Sequence, residues 1–216
     1  PGIPTEIVPG ECAQLKSILE KGCARFGALP AYGNLGVSIT YGQLEKASRA
    51  FGAYLQKSLD MRRGDRVALM LPNLLQYPVA LFGALRAGLT VVNVNPQYTA
   101  RELEHQLKDA GATAIVVLEN FAHTLAAVLP KTPVRTVIAT QVGDLFPWPK
   151  RAVVNFVVKH VKKMVPPWRI PDAVSFGAAL EAGRAQAIDN VPLGHDDIAL
   201  LQYTGGTTGV AKGALL

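Results

Sequence analysis

The chain is 216 residues long, 49% hydrophobic and 18% charged, with a formal net charge of +6. That composition excludes a disordered segment and suits one large or two small globular domains. The excess charge is local, since Lys150, Arg151, Lys159, Lys162, Lys163 and Arg169 fall between Leu145 and Pro171 with no acidic residue among them; the other 16 basic residues balance 16 acidic ones, which excludes a chain that is basic throughout.

Residues 11–28 read as a helix with Leu15, Ile18, Leu19 and either Ala24 or Phe26 on its apolar face. Cys12 and Cys23 lie in this stretch without metal-ligand spacing, and they read as buried thiols of a protein kept in a reducing, cytoplasmic setting. The first residues show no basic cluster followed by an apolar block, the pattern of a secretory signal. Val37 to Ile39 is a short strand, and Thr40 with Gln43 forms a capping box for a helix ending near Leu59. Gly64-Asp65 turns the chain into a buried strand, Arg66 to Leu71. Pro72 breaks it, Asn73 caps a helix from Leu74 to Ala87, and Gly88 stops that helix. The most apolar run, Leu74 to Leu85, is interrupted by Gln76 and Pro78 and is too short for a bilayer, which takes about 20 residues.

Thr90 to Val94 is a second buried strand and Pro96 ends it. Thr99 and Glu102 make a second capping box, for a helix running to Ala110 and closed by Gly111. Ala114 to Leu118 is a third strand, Phe121 to Leu129 a helix, and Val134 to Ala139 a fourth strand. These strands are apolar without alternation, as in a sheet covered on both faces. Alternating strands and helices therefore predict an α/β fold with a mostly parallel sheet flanked by helices. Residues 141–175 are irregular, basic and rich in Pro and Trp; residues 178–187 are a short helix, Pro192 to Asp197 a loop, and Ile198 to Tyr203 a strand.

That strand leads into Tyr203-Thr204-Gly205-Gly206-Thr207-Thr208-Gly209-Val210-Ala211-Lys212-Gly213, which holds four glycines, three threonines and one lysine in eleven residues. Glycine lets the backbone approach a ligand closely, and successive free N–H groups make a nest for phosphate oxygens. Threonine hydroxyls add donors or face a metal ion, and lysine supplies a compact positive charge. The segment reads as a polyphosphate site. It is not a Walker loop, because Lys212 follows Ala211 rather than glycine, nor a G-x-G-x-x-G turn, because Thr207 stands two places after Gly205. No G-x-S-x-G elbow of a serine hydrolase is present.

The segment resembles the phosphate-loop signature of the adenylate-forming superfamily, which holds acyl-CoA synthetases, peptide-synthetase adenylation domains and luciferases. The usual pattern is Tyr-Thr-Ser-Gly-Thr-Thr-Gly-x-Pro-Lys-Gly; Gly205 replaces the serine and Ala211 the proline. This variant is most similar to that of bacterial long-chain fatty acyl-CoA synthetases. Ile39 to Leu44 resembles the first core motif of the superfamily, Leu85 to Leu89 through Asn95-Pro96 the second, and Gly64 to Asn73 the strand between them.

The resemblance implies a two-step enzyme. The carboxylate of a fatty acid attacks the α-phosphate of ATP, giving an acyl-adenylate and pyrophosphate; the thiol of coenzyme A then displaces AMP. It implies that the backbone N–H groups of Gly205, Gly206, Thr207, Thr208 and Gly209, with the hydroxyls of Thr204, Thr207 and Thr208, hold the β- and γ-phosphates. Lys212 would neutralise them, Tyr203 would anchor the strand end, and Thr207 would face Mg²⁺. Catalytic residues of the family lie in later motifs, so none is expected here and the chain by itself is expected to be inactive. A stop inside the apolar run Ala214-Leu215-Leu216 makes residues 1–216 read as a partial amino-terminal AMP-binding domain, with 141–175 as an irregular basic segment inside it and the carboxy-terminal domain absent. Two alternatives stay open: a ligase for another carboxylic acid, and a non-catalytic nucleotide-binding or membrane-tethering module. A homodimer is compatible with either.

Lys150 to Val165 can form an amphipathic helix with Val154, Val157, Val158, Val161 and Val165 on one face and Lys159, Lys162 and Lys163 largely on the other. Two readings stand for it: a helix packed on its own domain, or, with Lys150, a contact with the anionic inner face of a membrane. Nucleic acid is not an expected partner, since Trp148, Phe156 and Trp168 are scattered and no nucleic-acid fold pattern is matched. His195-Asp196-Asp197 reads as a loop entering a strand rather than a metal site.

Overall fold

A computed structural model of the chain describes residues 14–204 and 212–216, with the backbone alone for Thr204. The first helix, α1 (Leu15–Phe26), leads into a two-stranded antiparallel hairpin, β1 (Pro30–Asn34) and β2 (Val37–Thr40). The sequence reading missed β1, whose Pro30 and Gly33 are poor strand formers. Its tight turn is Leu35-Gly36, both at positive φ, and leucine hides the signal that asparagine would give there.

Helix α2 (Tyr41–Lys57) starts on the Thr40–Gln43 capping box, with both reciprocal bonds formed. The α/β alternation then runs through β3 (Arg66–Met70), α3 (Gln76–Arg86), β4 (Thr90–Asn93), α4 (Ala100–Ala110), β5 (Ala114–Leu118), α5 (Ala122–Val128) and β6 (Thr136–Thr140). Helix α4 carries the second capping box, Thr99 with Glu102, and ends on Gly111 at φ 62°. Asn73 does not cap α3. The helix begins at Gln76 with no side-chain cap, and the Asn73 carbonyl instead accepts from Asn34 Nδ2 at 3.1 Å. Pro78 explains the shift. Starting at Gln76 places it in the first turn, where its missing N–H leaves no helical bond unmade.

The main sheet has the order β7-β6-β5-β3-β4-β8-β9, where β7 is Val174–Ser175, β8 Leu200–Thr204 and β9 Lys212–Leu215. Every pairing is parallel except β8 with β9. The two-residue β7 is too short to carry a periodic signal, and the reading missed it.

Both faces are covered. Val67, Leu69, Val91 and Val116 point to a core shared with α1, α2, α3 and α7 (Phe176–Arg184), while Ala68, Met70, Val92 and Val117 point to a second core under α4 and α5. That is why the strands are apolar without alternation. Helix α7 approaches α2 closely at Gly183, where a Cβ would stand 1.9 Å from the Ala50 carbonyl oxygen.

The basic segment is not one long helix. It folds as α6 (Lys150–Phe156) followed by a π-helical turn, Val157–Val161, and Lys163 has left-handed backbone at φ 51°. Its valines do not share one buried face: Val154 packs on the core and Val161 is exposed. The β-branched run is a poor α-helix former, and the anchoring comes from Asn155. Its amide receives the Gly143 N–H at 2.7 Å and donates to Gln141 Oε1 at 2.9 Å. Among the described residues no helix is long and apolar enough to cross a membrane.

Candidate functional site

Helix α3 leaves β3 on one face of the sheet, and α4 leaves the adjacent β4 on the other. The connections diverge there, and an open α/β sheet accepts ligands in the crevice so formed at the strand carboxyl ends. A cleft of about 280 Å³ lies at this place, walled by Asn73, Tyr77, Asn95, Tyr98, Gln202 and Tyr203 among others. A chain of side chains crosses its floor. The Tyr77 hydroxyl donates to Asn93 Oδ1 at 2.9 Å, and Asn93 Nδ2 donates to Gln202 Oε1 at 2.9 Å, linking α3, β4 and β8. Burial pushes the Tyr77 phenol up from its ordinary pKa while the Asn93 bond pulls the other way. The hydroxyl thus stays a donor at neutral pH.

Strand β8, which immediately precedes the glycine–threonine segment in the sequence, brings Gln202 and Tyr203 to the wall of this cleft. It pairs with β4 from Leu200 to Gln202 and with β9 in the register Tyr203↔Gly213, Thr204↔Lys212. Gly205, Gly206, Thr207, Thr208 and Gly209 lie outside the described residues, as does Cys12. Lys212 opens β9 and is exposed to solvent. Tyr203 is buried on the α4 face, and its hydroxyl donates to Asp109 Oδ2 at 2.5 Å. Burial, and then the Asp109 bond, raise its phenol far above the ordinary range. Its ring covers Gly213, where a Cβ would stand 3.0 Å from Cε2. Tyr77, Asn93, Gln202 and Asp109 escaped the sequence reading. Asp109 alone left a local trace: a carboxylate in the last turn of a helix faces the negative end of the helix dipole.

In the basic segment, the Lys150 ammonium donates to the Leu35 carbonyl at 2.6 Å, and Lys159 lies 3.5 Å from the buried carboxylate of Glu119. Lys162 and Lys163 are exposed, as are Trp148, Phe156, Val161 and Met164 of the same segment. In the His195-Asp196-Asp197 loop, Asp197 takes two bonds from Arg63, at 2.7 and 2.8 Å, and one from the Gly194 N–H.

The profile of the AMP-binding enzyme family matches residues 19–216. The chain belongs to that family. As an AMP-binding enzyme it is 56% identical over 214 residues to a long-chain-fatty-acid–CoA ligase of Escherichia coli O6:H1, covering 99% of this chain and 38% of the relative. It is 34% identical over 204 residues to the long-chain-fatty-acid–CoA ligase of Bacillus subtilis, covering 94% of this chain and 36% of that one. The chain thus spans under two-fifths of the relatives' length. Among solved structures it superposes on the anthranilate CoA ligase AuaEII with a TM-score of 0.74 at 20% identity, covering 93% of this chain and 34% of the other. A long-chain-fatty-acid-CoA ligase from Archaeoglobus fulgidus gives 0.71 at 24% identity, covering all of this chain and 38% of that one. The α/β fold of this AMP-binding family member, a mostly parallel sheet between helices, is therefore shared with part of these CoA ligases.

Proposed function

We propose that the chain is part of an AMP-forming long-chain fatty acid–CoA ligase and supplies its grip on the ATP triphosphate. The carrying observation is the pairing of β8 with β9: it sets Thr204 opposite Lys212, next to Tyr203 in the wall of the switch-point cleft, and the glycine–threonine segment lies between these two strands in the sequence. In this reading Thr204, Thr207, Thr208 and the N–H groups from Gly205 to Gly209 bind the β- and γ-phosphates, and Lys212 offsets their charge. The fatty acid carboxylate attacks the α-phosphorus and pyrophosphate leaves. The coenzyme A thiol then attacks the acyl carbon, AMP leaves and the thioester forms. Donors fixed in advance favour the first step because charge gathers on the departing phosphate oxygens.

The reading includes a magnesium ion, for which the Thr207 hydroxyl, outside the described residues, would be the ligand from this chain. Bound there, it would supply charge neutralisation. The fatty acid assignment is supported by the names of the relatives above; a panel of carboxylic acids offered to the full-length enzyme separates it from a ligase for another acid.

The decisive test uses the full-length enzyme. Lys212→Ala and Thr207→Ala should each lower fatty-acid-dependent ATP–pyrophosphate exchange by about a hundredfold. Unchanged exchange in both variants overturns the assignment.

A second reading concerns place. We propose a cytoplasmic enzyme that rests on the anionic inner face of a membrane through Lys162 and Lys163, with exposed Trp148, Phe156 and Met164 entering the headgroup layer. Lys150 and Lys159, already engaged within the protein, contribute less. Liposome flotation measures this directly, and sedimentation of the full-length protein decides between a monomer and a homodimer.

A further inference from the structure

Strand β4 pairs with β8 only as far as Gln202, so the last two residues of β8 reach past their parallel neighbour. They directly precede the proposed phosphate-binding segment in the sequence. On one side they are held by β9 alone. The other hold is a side chain: Tyr203, 8% exposed, runs along the α4 face and donates its hydroxyl to Asp109 at 2.5 Å, from a residue 94 positions distant in sequence. The same ring lies over Gly213, next to Lys212. One aromatic side chain therefore touches both strands of the stem, and one carboxylate fixes that side chain.

Asp109 is badly placed for α4 itself, since a negative charge in the last helical turn is repelled by the unpaired carbonyls there. A residue that opposes its own element is expected where another demand overrides local stability. Desolvation keeps the Tyr203 proton in place across the physiological range, so the bond to Asp109 stays formed.

We propose that Asp109 is a positioning residue of the ligase: through Tyr203 it holds the β8–β9 stem in the register that presents Thr204 and Lys212 to the phosphates of ATP. The inference rests on the phosphate-grip reading above and adds to it a residue that touches neither nucleotide nor acid.

The test again uses the full-length enzyme. Asp109→Ala should raise KM for ATP by about tenfold, the loss of one charged hydrogen bond, while KM for fatty acid, kcat and Tm stay near wild type. Tyr203→Phe, which removes only the hydroxyl, should match it, and the double variant should be no worse than either single one. Asp109→Asn, whose amide oxygen still accepts, should restore most of the ATP affinity. Equal rises in KM for all substrates with a lowered Tm would mark Asp109 as merely structural, and an unchanged KM for ATP in both Asp109→Ala and Tyr203→Phe overturns the proposal. Should Asp109→Ala fail to fold, Tyr203→Phe and Asp109→Asn give the same decision. Lys212→Ala run alongside separates the two levels: if it too leaves ATP binding intact, the phosphate-grip reading has failed, whereas if it alone is impaired only the role of Asp109 is lost.

Discussion

Arg86 shows how much of this fold hangs on single side chains. Its guanidinium is 3% exposed and donates through Nε to Ser48 Oγ at 3.2 Å and through Nη1 to Glu20 at 2.9 Å, while Nη2 pairs with Glu45. These partners lie on α1 and α2, and Arg86 ends α3, so one planar cation ties three helices together. Removing it leaves a buried gap and takes from Glu45 one of its two cationic partners, the other being Arg49 at 2.7 Å. Because both carboxylates reach solvent, the expected cost of Arg86→Ala is at the lower end for a broken buried pair, about 3 kcal/mol. Thermal unfolding should show a fall of about 10 °C, and Arg86→Lys, which keeps the charge without the fork, should fall between. An unchanged Tm for Arg86→Ala would mean the network adds no net stability.

At the scale of elements, the local rules were followed closely enough to be read directly. The two capping boxes, Thr40–Gln43 and Thr99–Glu102, are both formed, and β5 has the bounds its β-branched run predicts. The Thr99 hydroxyl and backbone N–H hold the Glu102 carboxyl below its ordinary pKa of 4.5. A pKa lowered by folding stabilises the fold above the ordinary value, and that stabilisation fades as pH falls through the lowered one. Thr99→Ala should cost about 1 kcal/mol at pH 7, measured by denaturant unfolding, and less below about pH 4. An equal cost at both pH values would exclude the charged box as its cause. The α6 region was not legible in the same way. Valine spacing suggested one helix to Val165, but the β-branched run ends in a π-turn and Asn155 anchors it through loop partners that no helical period encodes.

At the scale of the whole molecule, the sequence disclosed the glycine–threonine segment but not its setting. That β8 would lie against β4, or that Tyr203 would find Asp109, follows from tertiary pairing across roughly a hundred residues and leaves no local period to read. Surface placement was half legible. The lysines of the basic segment were visible, yet two of them, Lys150 and Lys159, are engaged by partners within the protein, and the exposed Trp148 and Phe156 are known only from the fold. With Lys162→Glu and Lys163→Glu combined, flotation of the full-length enzyme on anionic liposomes should drop at least about tenfold, since each lysine contributes about 1 kcal/mol. Undiminished flotation would remove the membrane reading.

The position of β8 also sets an order of events. β3 to β7 all precede Leu200 in the chain, and without β8 the strand β4 is an edge whose free backbone groups, flanked by buried valines, can pair with any passing strand. The strand that leads into the glycine–threonine segment is thus also the one that seals the growing sheet against sticking to its neighbours.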